Sequence, residues 1–207
     1  ELAAVPFSLR KLSDEIANIM GITAHDKGLE YLTFLDPRIP DTVIGDPVRL
    51  RQVLLNLTGN AIKFTYTGQV ALRITLKDEN EGGLTLEFSV KDSGIGIPKE
   101  TIDSIFEAFT QGSEEITKDF GGTGLGLSIT KHLLNRMGGT ISVESEVNEG
   151  TDFQCILHFE RNEESTESLD FSFIHDKTIV LTDPKESSRN NLAEMLTSRG
   201  AIIHKAP

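Results

Sequence analysis

Two asparagines and a lysine recur at helical spacing between Asn56 and Lys63. Asn56, Asn60 and Lys63 lie at positions i, i+4 and i+7, which places them on one face of a helix. An amide oxygen is a suitable ligand for Mg²⁺, and a lysine one turn further along can contact phosphate as a point charge. The spacing is consistent with a metal and phosphate site, although a solvated polar edge of a helix explains these three residues equally well.

A glycine-containing loop is predicted at Asp92–Ile97, directly after a stretch that alternates like a strand. Gly94 and Gly96 would let the backbone approach a flat ligand closely, and a buried Asp92 can accept a hydrogen bond from an exocyclic amine. Turns between a strand and a loop often have this composition, so the motif is weak evidence by itself.

The segment Gly121–Ser128 has four glycines in six positions and leads into a predicted helix. Backbone N–H groups and the positive end of a helix dipole can bind phosphate oxygens at such a place. The spacing is not that of a Rossmann fingerprint, and a P-loop is excluded because the Gly-Lys-Ser/Thr sequence is missing. A purely structural loop rarely needs so many glycines, so we favour a phosphate-binding role.

A strong helix is predicted to hold the two asparagines and the lysine. Asp46 fits an N-cap, and Pro47 fits the first helical position after it. The apolar residues that follow recur on one face, as expected of a helix that packs against a core. These residues are Leu50, Val53, Leu54, Leu57, Ala61 and Phe64.

The other elements follow from alternation, helical spacing and glycine or proline breaks. Strands are predicted at 29–35, 70–76, 84–90, 140–146 and 151–159, and helices at 12–20, 99–109 and 125–137. Gly21 is expected to end the first of these helices, and a polar segment without clear periodicity covers 110–120.

Charge and cysteine content exclude several classes of function. The formal net charge is −12 and no segment is rich in Lys or Arg, so neither nucleic acid nor an anionic membrane surface is an expected partner. Cys155 is the single cysteine, which excludes an internal disulfide and favours a reducing, cytoplasmic location. Direct membrane insertion is not expected from the apolar runs. The abrupt start at Glu1 indicates a piece of a longer protein, whose membrane anchoring the sequence leaves open.

Five segments in order resemble the motifs of the catalytic, ATP-binding domain of sensor histidine kinases. Asp46–Thr65 resembles the N box, Asp92–Ile97 the first glycine box and Phe106–Gln111 the F box. Gly121–Leu127 resembles the second glycine box, and Gly150–Phe153 the closing strand motif. All five occur in this order within residues 5–161, which makes a chance match improbable.

The resemblance implies an α/β fold of the Bergerat type, a two-layer sandwich of a mixed β-sheet and helices. It implies ATP and Mg²⁺ as cofactors, with ATP between the helices beneath a lid at about 110–120. By the same resemblance Asn60 is the metal ligand, Asn56, Lys63 and Lys118 are catalytic, and Asp92 accepts from the adenine amine. The remaining cofactor-binding residues implied are Phe64, Gly94, Gly96, Ile97, Phe109, Gly122, Thr123, Gly124, Leu125 and Gly126.

The resemblance also implies transfer of the γ-phosphate to a histidine, as part of two-component phosphorelay signalling. Related ATP hydrolases have a glutamate at the position of Asn56 to activate water, and its absence favours transfer to another acceptor. In the family the acceptor histidine precedes a glutamate, which none of the five histidines here does, so each is interpreted as a surface or strand histidine. The acceptor is therefore expected on an upstream dimerisation domain, in a homodimeric parent, and this chain alone should not phosphorylate itself.

The last part of the chain resembles the start of a receiver domain, which would make the parent a hybrid kinase. We expect a kinase domain at 5–161, a linker at 162–175 and an incomplete β-α-β unit at 176–207. Receivers have paired acids after their first strand, but here Asp183 is followed by Pro184, which has no ligand atom. A degenerate receiver, a linker to a later receiver, and a segment disordered on its own all remain open. The phosphate would pass to a receiver domain in cis or in trans.

Two other functions compete with the kinase. A nucleotide-sensing module or pseudokinase would bind ATP and act through contacts between domains, and the binding residues alone do not distinguish it. An ATP hydrolase of the gyrase or Hsp90 kind is disfavoured by Asn56 and by the F box.

Overall fold

The computed structural model describes residues 2–107, 125–162 and 172–206. The strands in these ranges are β1 Val5–Ser8, β2 Glu30–Leu35, β3 Thr42–Gly45, β4 Gln69–Asn80, β5 Gly83–Asp92, β6 Thr140–Glu146, β7 Gly150–Arg161, β8 Thr178–Leu181 and β9 Ile202–Lys205. The helices are α1 Leu9–Asp26, α2 Pro47–Phe64, α3 Lys99–Ile102, α4 Gly126–Arg136 and α5 Glu186–Thr197. None of the helices within those ranges has the length and apolar composition needed to cross a bilayer.

A mixed sheet forms one layer of the fold. Its strand order is β1-β3-β7-β5-β4-β2, with β6 added along β7, and the β2–β4 pair is parallel while the other pairs are antiparallel. Every second residue of β4, β5 and β7 enters one core together with apolar residues of α1, α2 and α4. The predicted α/β sandwich of a mixed sheet and helices is therefore confirmed.

Helix α2 has the predicted start. The Asp46 side chain accepts from the backbone N–H of Arg49 at 3.0 Å, and Pro47 occupies the first turn, where its missing N–H costs nothing. Leu50, Leu54 and Leu57 are fully buried on the sheet side.

Two of the predicted helices have other limits in the structure. Helix α1 continues through Gly21 to Asp26 because its apolar stripe also continues, as far as the buried Ala24, and this packing outweighs the cost of one internal glycine, about 1 kcal/mol. Of the predicted helix 99–109, the structure forms α3 and then turns up to residue 107, and residues 108 and 109 lie outside the described part. The hydroxyls of Thr101, in α3, and Ser104, just after it, donate to carbonyls three residues back, which favours turns over a continued helix.

The strands also differ from the prediction in detail. β1 and β3 were not predicted, because a strand of four residues has too short a pattern to recognise. β1 pairs with β3, and β3 pairs with the end of β7. β4 extends to Asn80 and β5 begins at Gly83, so the connection between the strands predicted at 70–76 and 84–90 shrinks to Glu81 and Gly82.

Helix α5 of the C-terminal unit lies against the edge strand β2. The Asn191 side-chain amide donates to the carbonyl of Thr33 at 3.1 Å, and Lys185 Nζ lies 3.1 Å from Glu30 Oε1. Arg73 of β4, on the face of the sheet away from the core, donates to Glu194 at 2.9 Å. The described part of this unit, 172–206, is thus ordered against the sheet.

Asp183 is engaged within this C-terminal unit. Its carboxylate accepts from the backbone N–H of Lys185 at 2.8 Å and from the Ser188 hydroxyl at 3.0 Å. These hydrogen bonds lower the pKa of Asp183 and connect its carboxylate to the beginning of α5. The assignment of this unit to a receiver stays a prediction, as do the domain limits.

Removing the Arg73–Glu194 ion pair should raise amide hydrogen exchange in α5 without affecting exchange in the sheet. We expect Glu194→Ala to raise amide hydrogen exchange in α5 by about twofold, since partly exposed pairs contribute about 0.5 kcal/mol. Arg73→Ala should add little in that background because the two substitutions remove one interaction. Lys77→Ala is the control, since Lys77 pairs with Glu87 inside the sheet. Equal exchange in α5 of Lys77→Ala and Glu194→Ala would contradict the assigned role of the pair.

Candidate functional site

The polar face of α2 is bounded at one end by the start of α4. Asn56 Nδ2 donates to the Thr130 hydroxyl at 2.8 Å, and Thr130 is only 1% exposed. A Cβ placed on Gly126, the first residue of α4, would lie 2.6 Å from Asn56 Oδ1. Asn56 is therefore held between the two helices, and glycine at 126 is what permits their close approach.

The first turn of α4 begins at Gly126, and a helix leaves the N–H groups of its first turn without partners inside the helix itself. Leu125, the residue at the cap position, has no side-chain acceptor for them. Phe109, Lys118, Gly122, Thr123 and Gly124, all predicted site residues, lie outside the described residues.

At the other end of α2 the first glycine loop meets Phe64. The backbone N–H of Ile95 donates to the Phe64 carbonyl at 3.2 Å, and Lys63 Nζ lies 4.9 Å from the centroid of the Phe64 ring. The structure thus brings Asn56, Asn60 and Lys63 onto a half-buried strip that runs from the start of α4 to the loop after β5.

Asp92 is a buried carboxylate at the end of β5. It is 6% exposed, and its Oδ1 accepts from the backbone N–H of Gly94 at 2.8 Å. Burial raises the pKa of Asp92, the nearby charge of Asp152 adds to this, and the backbone N–H groups of Gly94 and Thr151 partly oppose it. Burial thus destabilises the ionised form of Asp92, and a carboxylate kept in such a place has the properties of a recognition group for a ligand N–H.

The glycines of this loop are required by the protein backbone itself. A Cβ on Gly94 would lie 2.4 Å from the Phe64 carbonyl oxygen, and one on Gly96 would lie 2.0 Å from that of Glu146. Gly96 also has a φ of +69°, where other residues are strained. The contacts of the chain with itself therefore require glycine at both positions. The expected role of these glycines in making room for a flat ligand stays a prediction.

Ser145 of β6 joins the loop to the β6–β7 hairpin, and sequence reasoning missed it. Its hydroxyl accepts from the backbone N–H of Ile97 at 2.7 Å and donates to the Gly150 carbonyl at 2.8 Å. Thr130 was missed for the same reason, because a lone hydroxyl in a strand or helix has no local pattern. The partner positions are visible only after folding.

Phe106 anchors the chain where it leaves the described part before residue 108. Its ring packs edge-on against Phe153, with centroids 6.3 Å apart, and Lys131 Nζ lies 5.3 Å from its centroid. Phe106 thus packs against the hydrophobic core as a partly buried residue.

With this geometry in place, the chain was compared with known families. Residues 45–161, more than half of the chain, match the family described as histidine kinase-, DNA gyrase B- and HSP90-like ATPases. This chain belongs to that family. The matched range begins at the residue before the α2 N-cap and ends with β7, so it contains the whole strip and both of its boundaries.

Similar proteins include sensor histidine kinases. The sensor histidine kinase GacS of Pseudomonas protegens is 35% identical over 202 residues, which cover 98% of this chain and 22% of GacS. The signal transduction histidine-protein kinase BarA of Escherichia coli is 41% identical over 161 residues, covering 78% of this chain and 18% of BarA. This chain therefore spans about a fifth of the length of these curated relatives.

A similar solved structure is that of full-length ShkA in complex with AMPPNP. The two have a TM-score of 0.83 at 32% identity, over 100% of this chain and 41% of the ShkA chain. The similarity thus includes the kinase-type ATPase domain and the C-terminal unit.

Two glycine substitutions should have opposite effects on the free energy of unfolding of the nucleotide-free protein. Gly96→Ala should lower the free energy of unfolding by more than about 1 kcal/mol, because of its positive φ and the backbone contact. Gly59→Ala, inside α2 with no atom within 4 Å of the added Cβ, should raise it by about 0.5–1 kcal/mol. Urea unfolding of both variants measures the two effects, and a tolerated alanine at 96 would refute the backbone explanation.

Proposed function

We propose that this chain binds ATP with Mg²⁺ and transfers the γ-phosphate to a histidine outside it, in a two-component phosphorelay. The observation that carries the proposal is the polar strip of α2, which joins the start of α4 to a buried carboxylate. Phosphate and adenine need these two environments, and the family of ATPases to which the chain belongs supports ATP as the ligand. The similarity to ShkA supports it further, since that structure is a complex with AMPPNP, an ATP analogue.

Adenine recognition is assigned to Asp92. An ionised carboxylate accepts a hydrogen bond from the exocyclic amine, and low solvent exposure makes that bond more selective. The loop that follows keeps its shape through the contacts of Gly94 and Gly96, and Ile97 is fixed by Ser145. The adenine site would therefore exist before the nucleotide arrives.

The phosphates are assigned to the strip between Asn56 and Lys63. The first-turn N–H groups of α4 and the Lys63 ammonium would offset the negative charge of the phosphates, which the net charge of −12 makes necessary. Phe64 would lie along the nucleotide edge. Two further parts of the phosphate site, Lys118 and the second glycine box, are proposed from the sequence alone.

The residues on the strip fit Mg²⁺ as part of a nucleotide complex. The described residues contain no cluster of three or more His, Cys, Asp or Glu side chains that could hold a metal by themselves. Mg²⁺ bound with ATP needs few protein ligands, because phosphate oxygens and water complete its shell, and Asn60 would supply one amide oxygen. When bound, the ion would neutralise charge that develops on the transferred phosphoryl group.

Transfer to an external acceptor is preferred over hydrolysis. The strip presents the Asn56 amide where a hydrolase would need a carboxylate, and this amide is already bonded to Thr130. All five histidines, His25, His132, His158, His175 and His204, are exposed, and the sequence after each lacks the glutamate of the acceptor motif. The acceptor would come from an upstream dimerisation domain of a homodimeric parent, with a receiver domain taking the phosphate afterwards.

The primary test measures nucleotide binding and transfer separately. ATP with Mg²⁺ at about 100 times Kd should stabilise the chain by about 2.7 kcal/mol, seen as a rise in Tm. Asn60→Ala should remove most of the difference between ATP with Mg²⁺ and ATP with a chelator, because the amide oxygen acts through the metal. Gln52→Ala, at an exposed position of the same helix, is the control and should behave as wild type.

Labelled ATP and a separate histidine-bearing hairpin then distinguish the kinase from its alternatives. Label on the hairpin supports the kinase, binding without transfer supports the pseudokinase, and release of free phosphate supports a hydrolase. Absence of any nucleotide effect on Tm would end the proposal.

The pH dependence of binding should identify Asp92. Its pKa is raised in the folded protein, so the folded state takes up this proton at higher pH than the unfolded chain. The ionised carboxylate therefore costs stability near neutral pH, and that cost decreases as pH falls below the raised pKa, until the unfolded chain is protonated as well. Because adenine needs the ionised form, the affinity of wild type relative to Asp92→Asn should fall as pH is lowered from about 7.5 towards the raised pKa. A ratio of the two Kd values that stays constant with pH would contradict this role.

A further inference from the structure

The C-terminal end of α2 is completed by a residue from another helix. A helix leaves its last carbonyls without partners inside the helix, and a glycine in the left-handed conformation often closes the end. Here Thr65 follows in an extended conformation, with φ −103° and ψ 123°, so the glycine type of cap is absent from this described end. The carbonyls of the last turn need other donors.

Lys27 supplies most of these donors. Its Nζ donates to the carbonyls of Ile62 at 2.7 Å, Lys63 at 2.8 Å and Thr65 at 2.9 Å. An ammonium group has three protons, and three carbonyls within hydrogen-bond distance match that number. Its positive charge also faces the negative end of the α2 dipole, which strengthens the contact.

The neighbouring carbonyls are satisfied as well. The Thr65 hydroxyl donates to Ala61 at 2.7 Å, and the N–H of Ile95 donates to Phe64 at 3.2 Å. Five consecutive carbonyls, 61–65, therefore have donors, and three of the five depend on Lys27. The turn that they define is the one that contains Lys63 and Phe64.

The position of Lys27 is itself fixed by the backbone. It is the residue that caps α1, and its N–H bonds to the carbonyl of Ala24. Gly28 follows with a φ of +76°, which turns the chain into β2. The Lys27 ammonium also lies 5.7 Å from the centroid of the Tyr66 ring.

We propose that Lys27 is a positioning residue of the nucleotide site. It holds the last turn of α2 in the conformation that presents Lys63 to the phosphates and the Phe64 carbonyl to the glycine loop. Lys27 acts through this turn and does not contact the nucleotide. The proposal rests on the proposed function for its consequence, but the ordering of the turn can be measured without any nucleotide.

The first experiment tests ordering in the nucleotide-free chain. Lys27→Met keeps an unbranched side chain of similar length, one atom shorter, and removes the three donors. Hydrogen exchange of the amides at 62–65 should rise by about tenfold, as expected for the loss of charged hydrogen bonds, while the first turns of α2 change little. Asp46→Ala, which removes the N-cap at the other end of the same helix, should show the reverse pattern. Unchanged exchange at 62–65 in Lys27→Met would overturn the inference, whatever the chain binds.

The second experiment links the turn to the site. Lys27→Met should weaken the affinity for ATP with Mg²⁺ by about tenfold, and Asp46→Ala by less than about twofold, even where both lower the nucleotide-free Tm. Lys27→Arg should recover part of the loss, since it restores the charge but not the three converging donors. In a Lys63→Met background the effect of Lys27→Met should shrink to about twofold or less, because the two act on one interaction.

The outcomes separate the two proposals. A wild-type chain that does not bind ATP refutes the proposed function, while the exchange measurement still decides whether Lys27 orders the turn. A wild-type chain that binds ATP, with Lys27→Met and Asp46→Ala equally affected, refutes the positioning role. A full effect of Lys27→Met in the Lys63→Met background also refutes it.

Discussion

Burial of one face of α2 against the sheet determines where its opposite face can be used. Leu50, Leu54 and Leu57 are fully buried, and each contributes about 2 kcal/mol by leaving water. A rotation of the helix that moved Asn60 away from its position would expose these leucines to water. The packing of the core therefore determines the orientation of the polar strip. The start of α4, the loop after β5 and Lys27 then attach to a helix that is already fixed.

The loop after β5 shows how the backbone shapes a site before a ligand is present. Its glycines approach carbonyl oxygens of α2 and β6, and Gly150, with a φ of +114°, approaches the carbonyl of Asp92 in the same way. These contacts leave a carboxylate in a place where burial disfavours its charge. The rest of the domain supplies the stability that keeps this carboxylate in place, which is the usual relation between a scaffold and a recognition group.

The sequence predicted the parts of the fold that depend on local patterns. Helix α2, with its N-cap and apolar stripe, and the long strands β4, β5 and β7 came from spacing alone, and the five motifs indicated the family. β1 and β3 were missed because four-residue strands are defined by their partners, and Gly21 was given too much weight because the packing around it is not local. Thr130, Ser145 and Lys27 could not be found from sequence, since their partners are distant in the chain; those of Lys27 are 35 to 38 residues away.

The contact between Asn191 and Thr33 has a consequence for the behaviour of shortened chains. β2 ends the sheet, and an exposed sheet edge offers unpaired backbone groups to which a strand of another molecule can add. The Asn191 side chain donates to one backbone carbonyl of β2, and α5 packs beside the strand, where it blocks the addition of another strand. A chain that stopped after β7 would lose this protection and present an open edge to its neighbours in concentrated solution.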